Sequence, residues 1–107
     1  MKRVKRRYLA LQLDSAVAPS RREFSDAIWA AVTRLFGEHG ASLTGLALIK
    51  YDPEDKTAVL RTSLATLDIV RASLATITSL ADEDAAVHVL AVSGTIKSLH
   101  KKTPKHP

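Results

Sequence analysis

The sequence contains no cysteine, so disulfides and thiolate metal sites are excluded. Aromatic side chains are few, with two Tyr, two Phe and one Trp in 107 residues. No apolar run approaches the roughly 18 residues that a membrane span needs. Lys2 to Arg7 is basic, but the following Tyr8 to Leu13 is too short and too interrupted for the apolar core of a signal peptide. A soluble, cytoplasmic protein without membrane contact is expected. His39, His88, His100 and His106 show no ligand spacing and no His-Glu-x-x-His pattern, so no metal site is expected. Asp52, Glu54 and Asp55 resemble the start of a calcium loop, yet the twelfth position from Asp52 is Ser63, where a bidentate Glu is required. A polar turn is the better reading. No serine sits in a Gly-x-Ser-x-Gly elbow, and Gly37, Gly40, Gly45 and Gly94 match neither glycine-rich phosphate fingerprint. No catalytic residue is expected in the chain itself.

What is present is charge, unevenly placed. The net charge is +5. Residues 1–8 hold Lys2, Arg3, Lys5, Arg6 and Arg7 and no acid. Residues 95–107 hold Lys97, Lys101, Lys102 and Lys105, again without an acid. The stretch between, residues 9–94, carries seven basic and eleven acidic side chains. A mildly acidic body with basic ends at 1–7 and 97–107 suggests polyanion contacts made by the ends.

The length fits one domain, 1–107, with a single modest core, marginal enough for a partner to help it. Tyr8 to Leu13 alternates at period two and reads as a strand. Ser20 with Glu23 makes a capping box for a helix whose buried face is Phe24, Ile28, Ala31, Val32 and Leu35, ending at Gly37 or Gly40. Leu46 to Tyr51 and Thr57 to Thr62 flank a turn as two further strands. Ser63 can cap a second helix with the stripe Leu67, Val70, Leu74, Ile77 and Ala81. After a solvated Asp82-Glu83-Asp84 loop, Ala86 to Val92 is a fourth strand, and a short basic helix or tail follows Gly94. The order β-α-β-β-α-β predicts an α+β, ferredoxin-like and RRM-like fold: a four-stranded antiparallel sheet with two helices on one face. The strands are apolar on both faces, as in Val59-Leu60 and Val89 to Val92, so the second face should be covered by the terminal segment or by another protein.

Base stacking on the sheet is not expected to dominate, since Tyr8 and Tyr51 are its strand aromatics. Phosphate contacts by Lys and Arg remain. In Val92-Ser93-Gly94-Thr95-Ile96-Lys97, Ser93 or Thr95 can cap a helix whose free N–H groups, with Lys97, suit a phosphate oxygen. The start of the first strand and the end of the fourth are expected at opposite ends of the sheet, giving two separate phosphate contacts.

Several segments taken together resemble one family. They are Val4-Lys5-Arg6-Arg7-Tyr8-Leu9, Lys50-Tyr51-Asp52-Pro53, Val59-Leu60-Arg61, Val70 to Thr78, and Val92 to Lys97. Their order and spacing are similar to the ribonuclease P protein component 2 family of archaea, which has a eukaryotic counterpart in nuclear ribonuclease P. The resemblance implies a protein subunit of an endoribonuclease that removes the 5′ leader from precursor tRNA, with hydrolysis performed by a magnesium-dependent RNA subunit and no cofactor on the protein. It implies ribonuclease P RNA and a larger, barrel-shaped protein subunit as partners, and precursor tRNA indirectly. RNA contact is implied for Lys5, Arg6, Arg7, Arg61, Ser93, Gly94, Thr95 and Lys97. Lys2, Arg3, Lys101 and Lys102 join these on charge alone. The family often carries a Cys and a second basic residue after the position of Arg61, where this chain has Thr62, Ser63 and Leu64. That leaves Arg61 as a lone basic residue there. The segment after Lys97 is short and reaches Pro107, which argues against a long closing helix. Two other readings fit the pattern: a ribosomal or other RNA-binding module, and a ferredoxin-like regulatory domain that binds a small ligand.

Overall fold

The computed structural model describes residues 5–102. Strand β1 (Arg6–Ser15) is followed by α1 (Arg21–Ser42), the hairpin β2 (Ala47–Asp52) and β3 (Thr57–Ser63), a 3-10 turn at Leu64–Thr66, and α2 (Leu67–Ala75). A second hairpin, β4 (Ser79–Leu80) and β5 (Glu83–Ser93), leads into α3 (Ile96–Lys102). The result is an α+β fold with three helices and a five-stranded antiparallel sheet of order β2-β3-β1-β5-β4. This corrects the four-stranded expectation. The added strand, β4, pairs Ser79 with Asp84 and Leu80 with Glu83, so part of the expected solvated loop is sheet. Among the described residues no helix is long and apolar enough to cross a membrane.

Alternation along the strands sends side chains to two faces. Leu9, Leu11 and Leu13 of β1, with Ala58 and Leu60 of β3 and Val87 of β5, meet Phe24, Ile28, Ala31 and Val32 of α1 and Val70 and Leu74 of α2. This is the main core. Phe24 lies at its base with its ring 5.4 Å from that of Tyr51, which donates its hydroxyl to the carbonyl of Pro19 at 2.5 Å. Burial pushes the Tyr51 phenol above its ordinary range. The other face is covered by α3, whose Leu99 is 1% exposed against Ala10 and Val59, with Tyr8 and Ala91 alongside. The terminal segment therefore covers part of the second face, and it is helical from Ile96 to Lys102.

Local corrections have local causes. Leu35, expected in the core, is 51% exposed, and Gly37 leaves helical geometry at φ +76° and breaks α1 two residues later. A further helical segment then runs past Gly40 to Ser42. Ser63 makes no cap bond to α2; its hydroxyl meets Thr66 Oγ1 at 2.6 Å, and the intervening 3-10 turn delays the helix to Leu67. Helix α2 stops at Ala75, so Ile77 is buried beyond it and Ala81 is exposed in a turn.

The capping box at the head of α1 is complete. Glu23 N donates to Ser20 Oγ at 3.1 Å, and Ser20 N donates to Glu23 Oε1 at 2.9 Å. The Ser20 backbone N–H, and then its hydroxyl, hold the Glu23 carboxyl below its ordinary pKa. A depressed carboxyl adds stability above its unfolded pKa of about 4.3, and that contribution is lost as pH falls through the folded value. Ser20→Ala is expected to cost about 1 kcal/mol near neutral pH. The part of the gap that comes from the Ser20 hydroxyl favouring the ionised Glu23 carboxyl should disappear as pH falls through the lowered folded pKa of Glu23, while the part from the hydroxyl accepting Glu23 N remains. Urea midpoints across a pH series check this, and a gap independent of pH would contradict it.

Candidate nucleic-acid interface

The sheet register brings the basic end together. In β1, Tyr8 pairs with Arg61 of β3 on one side and Ser93 of β5 on the other. One residue earlier Arg7 pairs with Thr62, and Arg6 with Ser63. The Lys5 carbonyl accepts from Leu64 N at 2.8 Å, which fixes the start of the strand against the β3 exit. The expectation of two separate contacts is thereby corrected. Antiparallel neighbours run past one another, so the beginning of β1 lies beside the end of β5. Lys5, Arg6, Arg7, Arg61 and the Ser93-Gly94-Thr95 turn share one end of the sheet.

Arg7 links the two ends of the chain directly. Its Nη1 donates to the Arg6 carbonyl at 2.9 Å, and the guanidinium lies against Gly94, where a Cβ would stand 3.4 Å from Nη1. In the turn, Ser93 Oγ accepts from Thr95 N at 3.4 Å and Thr95 Oγ1 accepts from Ser98 N at 3.1 Å. Thr95 is thus the cap of α3. Lys97 and Lys101 are exposed on that helix, and Lys102 is its last residue. Lys2 and Arg3 lie outside the described residues.

The electrostatics favour an anion. Among the described residues the one ion pair is Arg22 with Asp26, at 3.9 Å on the exposed face of α1. No described carboxylate therefore neutralises Lys5, Arg6, Arg7, Arg61, Lys97 or Lys101. Asp14 and the hairpin turns at Asp52–Asp55 and Asp82–Asp84 sit at the opposite end of the strands, whereas Asp68 in the first turn of α2 and Glu38 near the end of α1 lie toward the basic end without pairing to its cations. Tyr8 to Asp14 alone spans six residues, on the order of 20 Å of strand. That exceeds the Debye length of about 8 Å at physiological ionic strength, so the acids at the far end barely screen the basic end. Arg61 is half-buried, and its Nε is a buried nitrogen without a hydrogen-bond partner. Leaving such a group unpaired costs free energy, which a phosphate oxygen reaching it would recover.

Tyr8 and Ser63 belong to this end and were absent from the sequence-based set. Tyr8 is half-buried in the row between Arg61 and Ser93, and Ser63 is buried opposite Arg6. The signal that finds them is the antiparallel register, not residue type.

Comparison with known proteins adds ancestry. A family model described as the Rpp14/Pop5 family matches residues 7–103. Ribonuclease P protein component 2 of Pyrococcus abyssi is 36% identical over 100 residues, covering 94% of this chain and 85% of the relative. The same component of Pyrococcus furiosus is 35% identical over 100 residues, covering 94% and 83%. A chain in the cryo-EM structure of yeast ribonuclease MRP shares the fold, with a TM-score of 0.71, 20% identity, and coverage of 89% of this chain and 78% of that one. On the match across nearly all of its length, the chain belongs to the Rpp14/Pop5 family, the family of ribonuclease P protein subunits.

Proposed function

We propose that this chain is the component 2 protein subunit of ribonuclease P and that its basic end grips the RNA that removes the 5′ leader from precursor tRNA. The observation that carries this reading is the union of Arg6, Arg7, Arg61 and the Ser93-Gly94-Thr95 turn at one end of the sheet, with no carboxylate partner among the described residues. The relatives' names support the choice of RNA. The contacts are to phosphates, positioning the RNA without reading its bases. The order β2-β3-β1-β5 of the long strands supports a ferredoxin-like, split βαβ body that presents this end as a rigid unit.

Magnesium does not fit this end of the protein. Lys and Arg side chains are donors, whereas the ion needs oxygen ligands. We assign the ion and the hydrolytic chemistry to the RNA. A larger, barrel-shaped ribonuclease P protein subunit is the proposed protein partner, precursor tRNA is engaged indirectly, and the complex works in the cytoplasm. Purification of the tagged protein from its native cells tests the assignment. The transfer-RNA-processing RNA should be the enriched species. Enrichment of ribosomal RNA in its place would assign the same electrostatics to a ribosomal module.

A further inference from the structure

The second face of the sheet is divided by α3. Toward the basic end lies the row Arg61, Tyr8, Ser93; beneath Leu99 lies the row Val59, Ala10, Ala91; beyond it lies the row Thr57, Gln12, His88. Past Leu99 a cleft of about 210 Å³ opens between α3 and the β2–β3 hairpin. Its apolar wall is Ala10, Val59, Leu90 and Leu99, and its rim carries Asp52 and Asp55 along with Lys50 and His100.

Leu90 is there because of a bulge. The register passes from Ala10–Ala91 to Leu11–Val89, which leaves Leu90 as an extra residue on β5. Val89 and Val92 pack into the main core and Ala91 packs near Leu99, while Leu90 lines the cleft and stays 38% exposed. A bulge interrupts the ladder and re-aims a side chain, here setting an apolar group at the mouth of the cleft. On the rim, Asp52 Oδ1 accepts from Glu54 N at 3.0 Å and Asp55 N at 3.3 Å, which fixes that carboxylate, and Asp55 is exposed.

These features choose an occupant. The cleft is smaller than the roughly 300–1,000 Å³ of small-molecule sites, and it suits one side chain. The rim is mixed, with Asp52 and Asp55 beside Lys50 and His100, so it offers a phosphate no net attraction, while Asp55 is in no ion pair among the described residues and can meet a cation. We propose that the cleft anchors a protein segment that presents one aliphatic or aromatic side chain beside a Lys or Arg. The apolar group enters between Leu90 and Leu99, and the cation meets Asp52 and Asp55. The inference rests on the reading of this chain as a ribonucleoprotein subunit with a protein partner, and it locates that partner. The cleft would be the buried centre of a larger interface, on the order of 1,200–2,000 Å².

The probe is the larger ribonuclease P protein subunit, coexpressed and then titrated against this chain. Leu90→Ser and Asp55→Asn should each weaken its binding about tenfold and leave RNA affinity within about twofold. Circular dichroism controls for folding. Hydrogen exchange of the unaltered complex gives an independent reading, with protection expected at Thr57–Val59 and Leu99–His100. If the unaltered chain binds the subunit but neither variant loses affinity and those segments stay unprotected, the cleft proposal is overturned and the function stands. If both variants lose RNA and keep the subunit, the cleft belongs to RNA and the proposal fails. If the unaltered chain does not bind the subunit, the partner assignment fails and takes the cleft with it.

Discussion

Arg6→Ala with Arg7→Ala is expected to weaken binding to ribonuclease P RNA by roughly a hundredfold. Each charge-assisted hydrogen bond to a phosphate is worth about 1.4 kcal/mol, or tenfold, and the double variant removes two. The salt dependence should change as well. Each neutralised phosphate releases counterions, so the slope of log K against log salt should become shallower by about 1 for every phosphate left without its arginine. Because Arg7 lies against Gly94, the two residues act within the same patch as the Ser93-Gly94-Thr95 turn, not apart from it. Lys97→Ala, on the adjoining helix, should reduce the same slope by a smaller amount. Folding should hold, since Arg6 is exposed, Arg7 is only half-buried, and neither is in an ion pair among the described residues. RNA affinity across a salt series, with circular dichroism as the control, decides the matter. An unchanged slope in the double variant would reduce the amino-terminal basic run to a solvated tail.

Phe24→Ala carries the largest expected cost in stability. Phe24 is fully buried on the sheet-facing side of α1, against the Tyr51 ring. Removing a buried phenyl group loses its transfer free energy and leaves a cavity, together about 3–5 kcal/mol. A domain of this size has a total stability on the order of 5–15 kcal/mol, so the variant should lie close to unfolding. Its melting temperature should fall by roughly 15–30 °C. Phe24→Leu, which fills more of the space, should lose less. Urea denaturation measures both, and a loss under about 1 kcal/mol for Phe24→Ala would mean that the core does not close around this ring.

The sequence carries these features unevenly, and the reasons are physical. Phe24, Ile28, Ala31 and Val32 recur at helical spacing, and all four are buried because an amphipathic stripe has one stable way to face a sheet. Leu35 continues the spacing but not the helix's path, since Gly37 breaks the backbone just beyond it. The Ser20–Glu23 box is a local bond pair and is legible as such. The β4–β5 hairpin is not. Its two turn residues, Ala81 and Asp82, both take positive φ, at 51° and 65°. That backbone belongs to a tight hairpin turn, whose usual marker is Asn-Gly or Asp-Gly. Without a glycine the turn reads as loop, and the two-residue β4 exists through its pairing with β5. The site was legible in its residue types and not in its assembly. Basic runs at both ends of the chain mark Arg6, Arg7 and Lys97, but the meeting of Arg7 with Gly94 follows from the antiparallel register of β1 and β5. Leu90 was hidden for a related reason, because a bulge is a property of two strands and not of one.

A protein that serves a catalytic RNA by gripping it does not cut the substrate itself, and reconstitution separates the two roles. Precursor tRNA and magnesium are incubated with the protein alone, with the ribonuclease P RNA and the proposed larger protein partner, and with all three together. The protein alone should cleave nothing. Joined to the other two, it should speed 5′ maturation and lower the magnesium that maturation needs. Specific 5′ cleavage by RNA-free protein would make the chain a nuclease in its own right, and equal rates with and without it would leave the basic end with no part in the reaction.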